Sequence, residues 1–213
     1  AKRPYYLLAL IKTMKHLIFL LIAVVFLSCS NKHAGIYKPG SIHYFKTTIS
    51  QSHQERKVKE IILIVPKHNF KFPFNIWGQY VIEWKYDSNF TNKTLYNEDS
   101  TSVSLHPPRR KYMKFAQIPP FPGISLPPRI GNNSEISLKV VSGHGDLDGK
   151  TVKKVLEVTA QDTIEIMQEQ RAVWVIEGRN TNLIEEFGQY EVTYYFHEAL
   201  GFVRWVYRKP NGE

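Results

Sequence analysis

The chain has 213 residues, a formal net charge of +9 and a single cysteine. The length fits one domain with a sizeable core, and one cysteine excludes an internal disulfide, so stability must come from burial. The basic excess points to an anionic partner, such as lipid headgroups.

Taken in chain order, the sequence opens on Ala1, and the first methionine is Met14. Residues 1–13 are therefore expected to be an extension upstream of the true start. Lys15 and His16 precede an apolar run over 17–27, followed by Ser28 and Cys29. A basic start, an apolar stretch of about 7–15 residues and a small residue before a cut mark a secretory signal. The run is too short to span a bilayer, which needs about 20 apolar residues. Lys12 and Lys15 interrupt any upstream extension. Phe26-Leu27-Ser28-Cys29 resembles the lipobox of bacterial lipoprotein signals, with 14–28 as the signal peptide. The resemblance implies a diacylglycerol thioether on Cys29 as the acylated mature N-terminus, and a membrane partner through that lipid. Lys2, Arg3, Lys12 and Lys15 leave with the signal, so much of the basicity is targeting. Nucleic acid is excluded as a partner for an exported chain. The polar stretch that follows, with Gly35, Pro39 and Gly40, makes 29–40 a tether to the domain.

From Ser41 the dominant period is two, the strand period. Strands are expected over 42–48, 58–65 and 79–86. The 58–65 segment also fits a short helix, but its β-branched residues and Pro66 favour a strand. Pro107, Pro108, Pro119, Pro120, Pro122, Pro127 and Pro128 then interrupt the pattern. Proline lacks an amide donor and cannot sit in a central strand. Residues 106–129 are expected to cross the sheet as an ordered strap, or to serve as a lid or docking segment. Strands resume over 135–141, over 150–159 and 163–168 with a break at 160–162, and over 171–179. In 189–197, Tyr190, Val192, Tyr194 and Phe196 share one face. In 202–208, Val203, Trp205 and Tyr207 share one face and Phe202, Arg204, Val206 and Arg208 the other. These last two runs read as a hairpin. No long amphipathic helix and no repeat is visible. The reading is an all-β or β-dominant domain over 41–213, an antiparallel meander with a proline-rich strap. Asn211-Gly212 is a hairpin-turn signal with no returning strand, which suggests truncation at the C-terminus.

Few residues carry recognisable chemistry. His144, Asp146 and Asp148 lie in a glycine-rich string over 142–149. As a calcium loop starting at Asp146, the string puts Thr151 where the sharp-turn glycine belongs, so it reads better as a turn. The three residues are the candidate acid–base group of an envelope hydrolase. His197-Glu198 begins a zinc-protease motif, but Gly201 stands where the second histidine is required. No nucleophile elbow or phosphate-cradling loop occurs, and no catalytic residue, metal site or cofactor is expected. The aromatics cluster in strands, where they form cores and cross-strand pairs. They could alternatively line a concave apolar face for a hydrophobic ligand, with Trp84, Trp174, Tyr195 and Trp205 as the binding candidates.

Two further stretches carry a resemblance. His106-Pro107-Pro108-Arg109, followed by Ile118-Pro119-Pro120-Phe121-Pro122 and Leu126-Pro127, is similar to uncharacterised lipoproteins of Bacteroidetes-type bacteria. So is Tyr194-Tyr195-Phe196-His197-Glu198 with Leu200-Gly201-Phe202-Val203. The resemblance implies a curved or barrel-like sheet and a periplasm-facing, lipid-anchored envelope protein. Acidic residues that commonly follow the cysteine in surface-exported relatives are replaced by Ser30-Asn31-Lys32-His33. The functional expectation is a non-enzymatic binding or structural module for a hydrophobic ligand or an envelope protein, with the hydrolase as the alternative.

Overall fold

The computed structural model describes residues 35–51, 54–67, 79–86, 90–140 and 143–210. The compact unit that carries the fold starts at Ile36. The signal-like segment with Cys29, the first half of the expected tether and Asn211-Gly212 lie outside the described residues.

Strands β1 (Ile42–Gln51), β2 (Gln54–Ile64), β3 (Tyr80–Tyr86), β4 (Phe90–Glu98), β5 (Ser102–Leu105) and β6 (Gly123–Ser125) form one antiparallel sheet in chain order. It curls into a half-barrel. Strands β7 (Asn133–Lys139), β8 (Thr151–Ile166), β9 (Glu169–Asn180), β10 (Glu191–His197) and β11 (Gly201–Arg208) form a second antiparallel meander. A short helix, α1 (Ile184–Phe187), lies in the β9–β10 connection. The expected β-dominant meander with a strap is thus the observed architecture, realised as two sheets. Local turns suffice for this order, which is why alternation alone encodes much of it.

The two sheets share one core. Ile61, Leu63, Ile82, Trp84 and Leu105 from the first meet Val158, Ile176, Val192, Tyr194 and Phe196 from the second. Trp84 stacks edge-on against Trp205 with ring centroids 5.5 Å apart, and Phe45 lies 5.4 Å from the same indole. Such aromatic pairs contribute about 0.5–1.5 kcal/mol each beyond their burial.

Three local departures from simple alternation have identifiable causes. The break expected at 160–162 is a β-bulge between Val158 and Ala160 inside one continuous strand. The actual reversal is at Met167 and Gln168, whose φ values of 53° and 67° give the left-handed two-residue turn that suits a twisted hairpin. In the β10–β11 hairpin a register shift places Phe196 opposite Phe202 and leaves Val203 as the extra residue. Phe202 therefore turns into the core beside Trp205 and Tyr207, rather than away from them. At the domain entrance, Tyr37 is 2% exposed, although the sequence reading puts it in a tether. Its hydroxyl accepts the Phe202 backbone N–H at 3.0 Å, and its carbonyl accepts from the Tyr96 hydroxyl at 3.2 Å. The tether gives way to packed structure by Ile36, because one buried tyrosine outweighs its polar neighbours.

Candidate functional site at the strap junction

The proline-rich strap is pinned to the core at its start and again near its middle. At its start, the Trp84 indole N–H donates to Thr94 Oγ1 at 2.8 Å, and that hydroxyl donates to the His106 carbonyl at 2.9 Å. The Arg109 backbone N–H donates to Asn92 Oδ1 at 2.9 Å. A 3-10 segment (Lys111–Gln117) follows. Met113 and Ala116 enter the main core, while Ile118 joins a second apolar cluster with Val140, Leu147, Val152 and Leu183. Beyond the 3-10 segment, the fully buried Tyr194 hydroxyl donates to the Pro120 carbonyl at 2.6 Å. Gly178 makes room there. A Cβ on it would sit 2.7 Å from Leu156 Cδ2 and 3.0 Å from Pro120 Cγ.

This seat holds an unusual group of side chains. Lys154 lies on β8 in phase with the buried Val152 and Val158, and is itself only 1% exposed. Its ammonium donates to the Gln117 carbonyl and stands 4.3 Å from the centroid of Phe121. The Arg109 guanidinium lies 5.3 Å from the same ring, and the His106 imidazole 4.8 Å from it, centroid to centroid. One Arg109 terminal N–H donates to His106 Nδ1. A single phenyl ring thus gathers three basic side chains.

The electrostatics follow from burial with no carboxylate among the described residues against Lys154, Arg109 or His106. Desolvation, reinforced by the Arg109 charge, pushes the Lys154 pKa down from 10.5 to about 7. Desolvation, then Arg109 and Lys154, push His106 down to about 4, which agrees with its Nδ1 acting as an acceptor. Burial also lowers Arg109. His144 is lowered by burial and then by the Lys114 charge; Asp148 opposes this, and Lys154 adds the smallest downward push. Two side-chain nitrogens of this neighbourhood, Arg109 Nε and His144 Nε2, are buried with no hydrogen-bond partner among the described residues. Cation–π contacts are worth about 0.5–2 kcal/mol each. Burying one ammonium costs several kcal/mol, so Phe121 offsets only part of the cost.

The residues singled out in the sequence are distributed elsewhere. Asp148 accepts the backbone N–H groups of Gly143 at 2.7 Å and His144 at 2.6 Å, which lowers its pKa and commits both oxygens to the turn. Asp146 is exposed on that turn, so the three residues do not converge as an acid–base group. Trp84 and Trp205 are core partners. Trp174 is half-buried on the same inward face, and its N–H donates to the exposed Glu198 at 3.1 Å. Tyr195 is on the opposite face of its sheet, with the Arg204 guanidinium 5.2 Å from its ring. The four aromatics therefore do not line one surface. His197 Nδ1 accepts from the N–H groups of Ala199 and Leu200 at 3.1 and 3.2 Å, a turn-capping role.

An open depression of about 130 Å³ on the outer face of the second sheet is lined by Glu157, Glu177, Arg179, Glu191 and Arg208. Its charges alternate in sign and face solvent, so it carries less chemical tension than the strap seat. No group of three or more metal-ligating residues occurs among the described residues. Sequence reading missed Lys154, although one signal was available: a lysine in the apolar register of a strand. The chain matches no known family, no curated protein and no solved structure.

Proposed function

We propose that this chain is a non-enzymatic binding module, held by lipid on Cys29 at a bacterial envelope and facing the periplasm. The basic start, apolar run and Ser28-Cys29 support the anchor. The observation that carries the binding reading is the buried, carboxylate-poor basic group of Lys154, Arg109 and His106 around Phe121. Buried charges are ordinarily paired, and two orphaned nitrogens add unspent donor capacity. Such a group suits recognition of an anionic head with an apolar or aromatic neighbour. The hydrolase alternative has no observation in its favour, because the Asp148 oxygens are engaged by the backbone. Native mass spectrometry of the protein purified from envelopes tests the reading. A reproducible extra mass, released on denaturation, is the expected result. A bare protein mass would count against a ligand-binding role and leave a structural one.

A further inference from the structure

We infer that the strap junction binds a tetrahedral dianion, inorganic phosphate or a phosphate monoester, between the Lys154 ammonium and the Arg109 guanidinium. The inference deepens the binding-module reading and rests on it for the location of the site. Lys154 forms the floor, being 1% exposed, while Arg109, His106 and Phe121 are half-buried and form a rim that solvent reaches.

The donor count supports an oxyanion. An ammonium carries three N–H donors, and the Lys154 group has one described acceptor, the Gln117 carbonyl. The guanidinium offers a planar fork suited to two oxygens of one anion, and its Nε is buried without a partner among the described residues. His144 Nε2, in the neighbouring turn, is likewise buried without a partner among the described residues. His106 is held as a neutral acceptor by Arg109, which leaves the guanidinium oriented over Phe121.

The charge count selects among oxyanions. Lys114 is the other cation near His144, and Asp148 lies against the same histidine and offsets it. Arg109 and, once protonated, Lys154 then supply two positive charges with no carboxylate against them among the described residues. A carboxylate would leave one of them unbalanced, whereas a phosphate dianion balances both. Binding must also favour the charged form of Lys154, because an adjacent anion raises an amine's pKa. Reciprocity then requires proton uptake when the anion binds near neutral pH.

Isothermal titration of the full chain at pH 7.5 tests this with inorganic phosphate and with glycerol 3-phosphate, at constant ionic strength. Two buffers of different ionisation heat report the protons exchanged. The expected result is saturable binding of phosphate with uptake of roughly half a proton or more per site by the protein, after allowing for the proton that the phosphate monoanion releases on binding as the dianion. Binding of both probes identifies a monoester site, and binding of inorganic phosphate alone identifies a seat that encloses the whole anion. Surface lysines are fully protonated at that pH and take up none, so saturable binding without proton uptake would overturn the assignment. Lys154→Met and Arg109→Gln should each weaken binding about tenfold or more. Unchanged affinity in Arg109→Gln, which keeps the core intact if Lys154→Met does not fold, would also overturn it. No saturable heat with either probe would sink the phosphate inference. An extra organic mass in the native protein would in that case leave the binding-module reading standing.

Discussion

Replacing Lys154 with methionine should stabilise the protein below neutral pH and abolish a pH dependence of the wild type. The Lys154 pKa falls from 10.5 to about 7 on folding, because burial and the Arg109 charge disfavour the ammonium. Each pKa unit corresponds to about 1.4 kcal/mol, so the cost of carrying the charge into the fold is at most about 5 kcal/mol. The groups on the strap near the amine are Arg109, His106 and Lys114, and His144 and Asp148 lie in the turn beside it. The one carboxylate among them, Asp148, has both oxygens engaged by the turn backbone. Below pH 7 both folded and unfolded chains keep the proton, and the full cost is present. Between pH 7 and 10.5 the unfolded chain holds a proton that the folded chain has released, so stability climbs with pH. Methionine matches the lysine stem in volume, removes the charge, and leaves the Gln117 carbonyl unsatisfied at about 1–3 kcal/mol. The net expectation at pH 6 is a variant more stable than wild type by roughly 2–4 kcal/mol, with the gap closing by pH 9.5. Urea denaturation at pH 6, 8 and 9.5 measures it. A wild type whose unfolding free energy is flat or falls between pH 7 and 9.5 would rule out a lowered Lys154 pKa, and a Lys154→Met variant less stable than wild type at pH 6 would rule out a net cost of burying the charge.

Three other outcomes follow from the geometry. Tyr194→Phe removes the only hydroxyl donor described for the Pro120 carbonyl. It should cost about 1–3 kcal/mol and increase proteolysis within 106–129, which limited trypsin digestion would show. Gly178→Val forces a side chain against Leu156, Pro120 and Val192. Overpacking of this kind costs about 1–3 kcal/mol or more, and a thermal melt no lower than wild type would disprove the seat. Cys29→Ser should abolish incorporation of labelled palmitate and move the chain from the membrane to the soluble fraction. Retained label would contradict lipidation at that residue.

Legibility in the sequence depended on whether a residue's neighbours in the chain set its environment. The β10–β11 hairpin could be read from strict alternation of Val192, Tyr194 and Phe196 on one side. The strap could be read from prolines that no central strand accepts. By contrast, β4 escaped notice because its inward positions include Asn92 and Thr94. Their polarity is satisfied by Arg109, Trp84 and His106, all outside the strand. The bulge near Val158 and the extra residue Val203 depend on cross-strand register, which a period-two reading does not contain. The strap junction was hidden for a related reason. Lys154 looks solvated in its local sequence, and only the fold places the Gln117 carbonyl, Phe121 and Arg109 around it. His144, Asp146 and Asp148 form a chemically suggestive string, yet the backbone uses Asp148 to close a turn.

The fold buries the Lys154 amine among basic groups beneath the strap, and an NMR titration of the protein labelled with ¹³C and ¹⁵N at lysine reads that burial at the side chain itself. The Lys154 side chain, identified by its loss in Lys154→Met, should titrate near pH 7, well apart from the other lysines. A Lys154 signal that titrates with the exposed lysines near 10.5 would contradict the account.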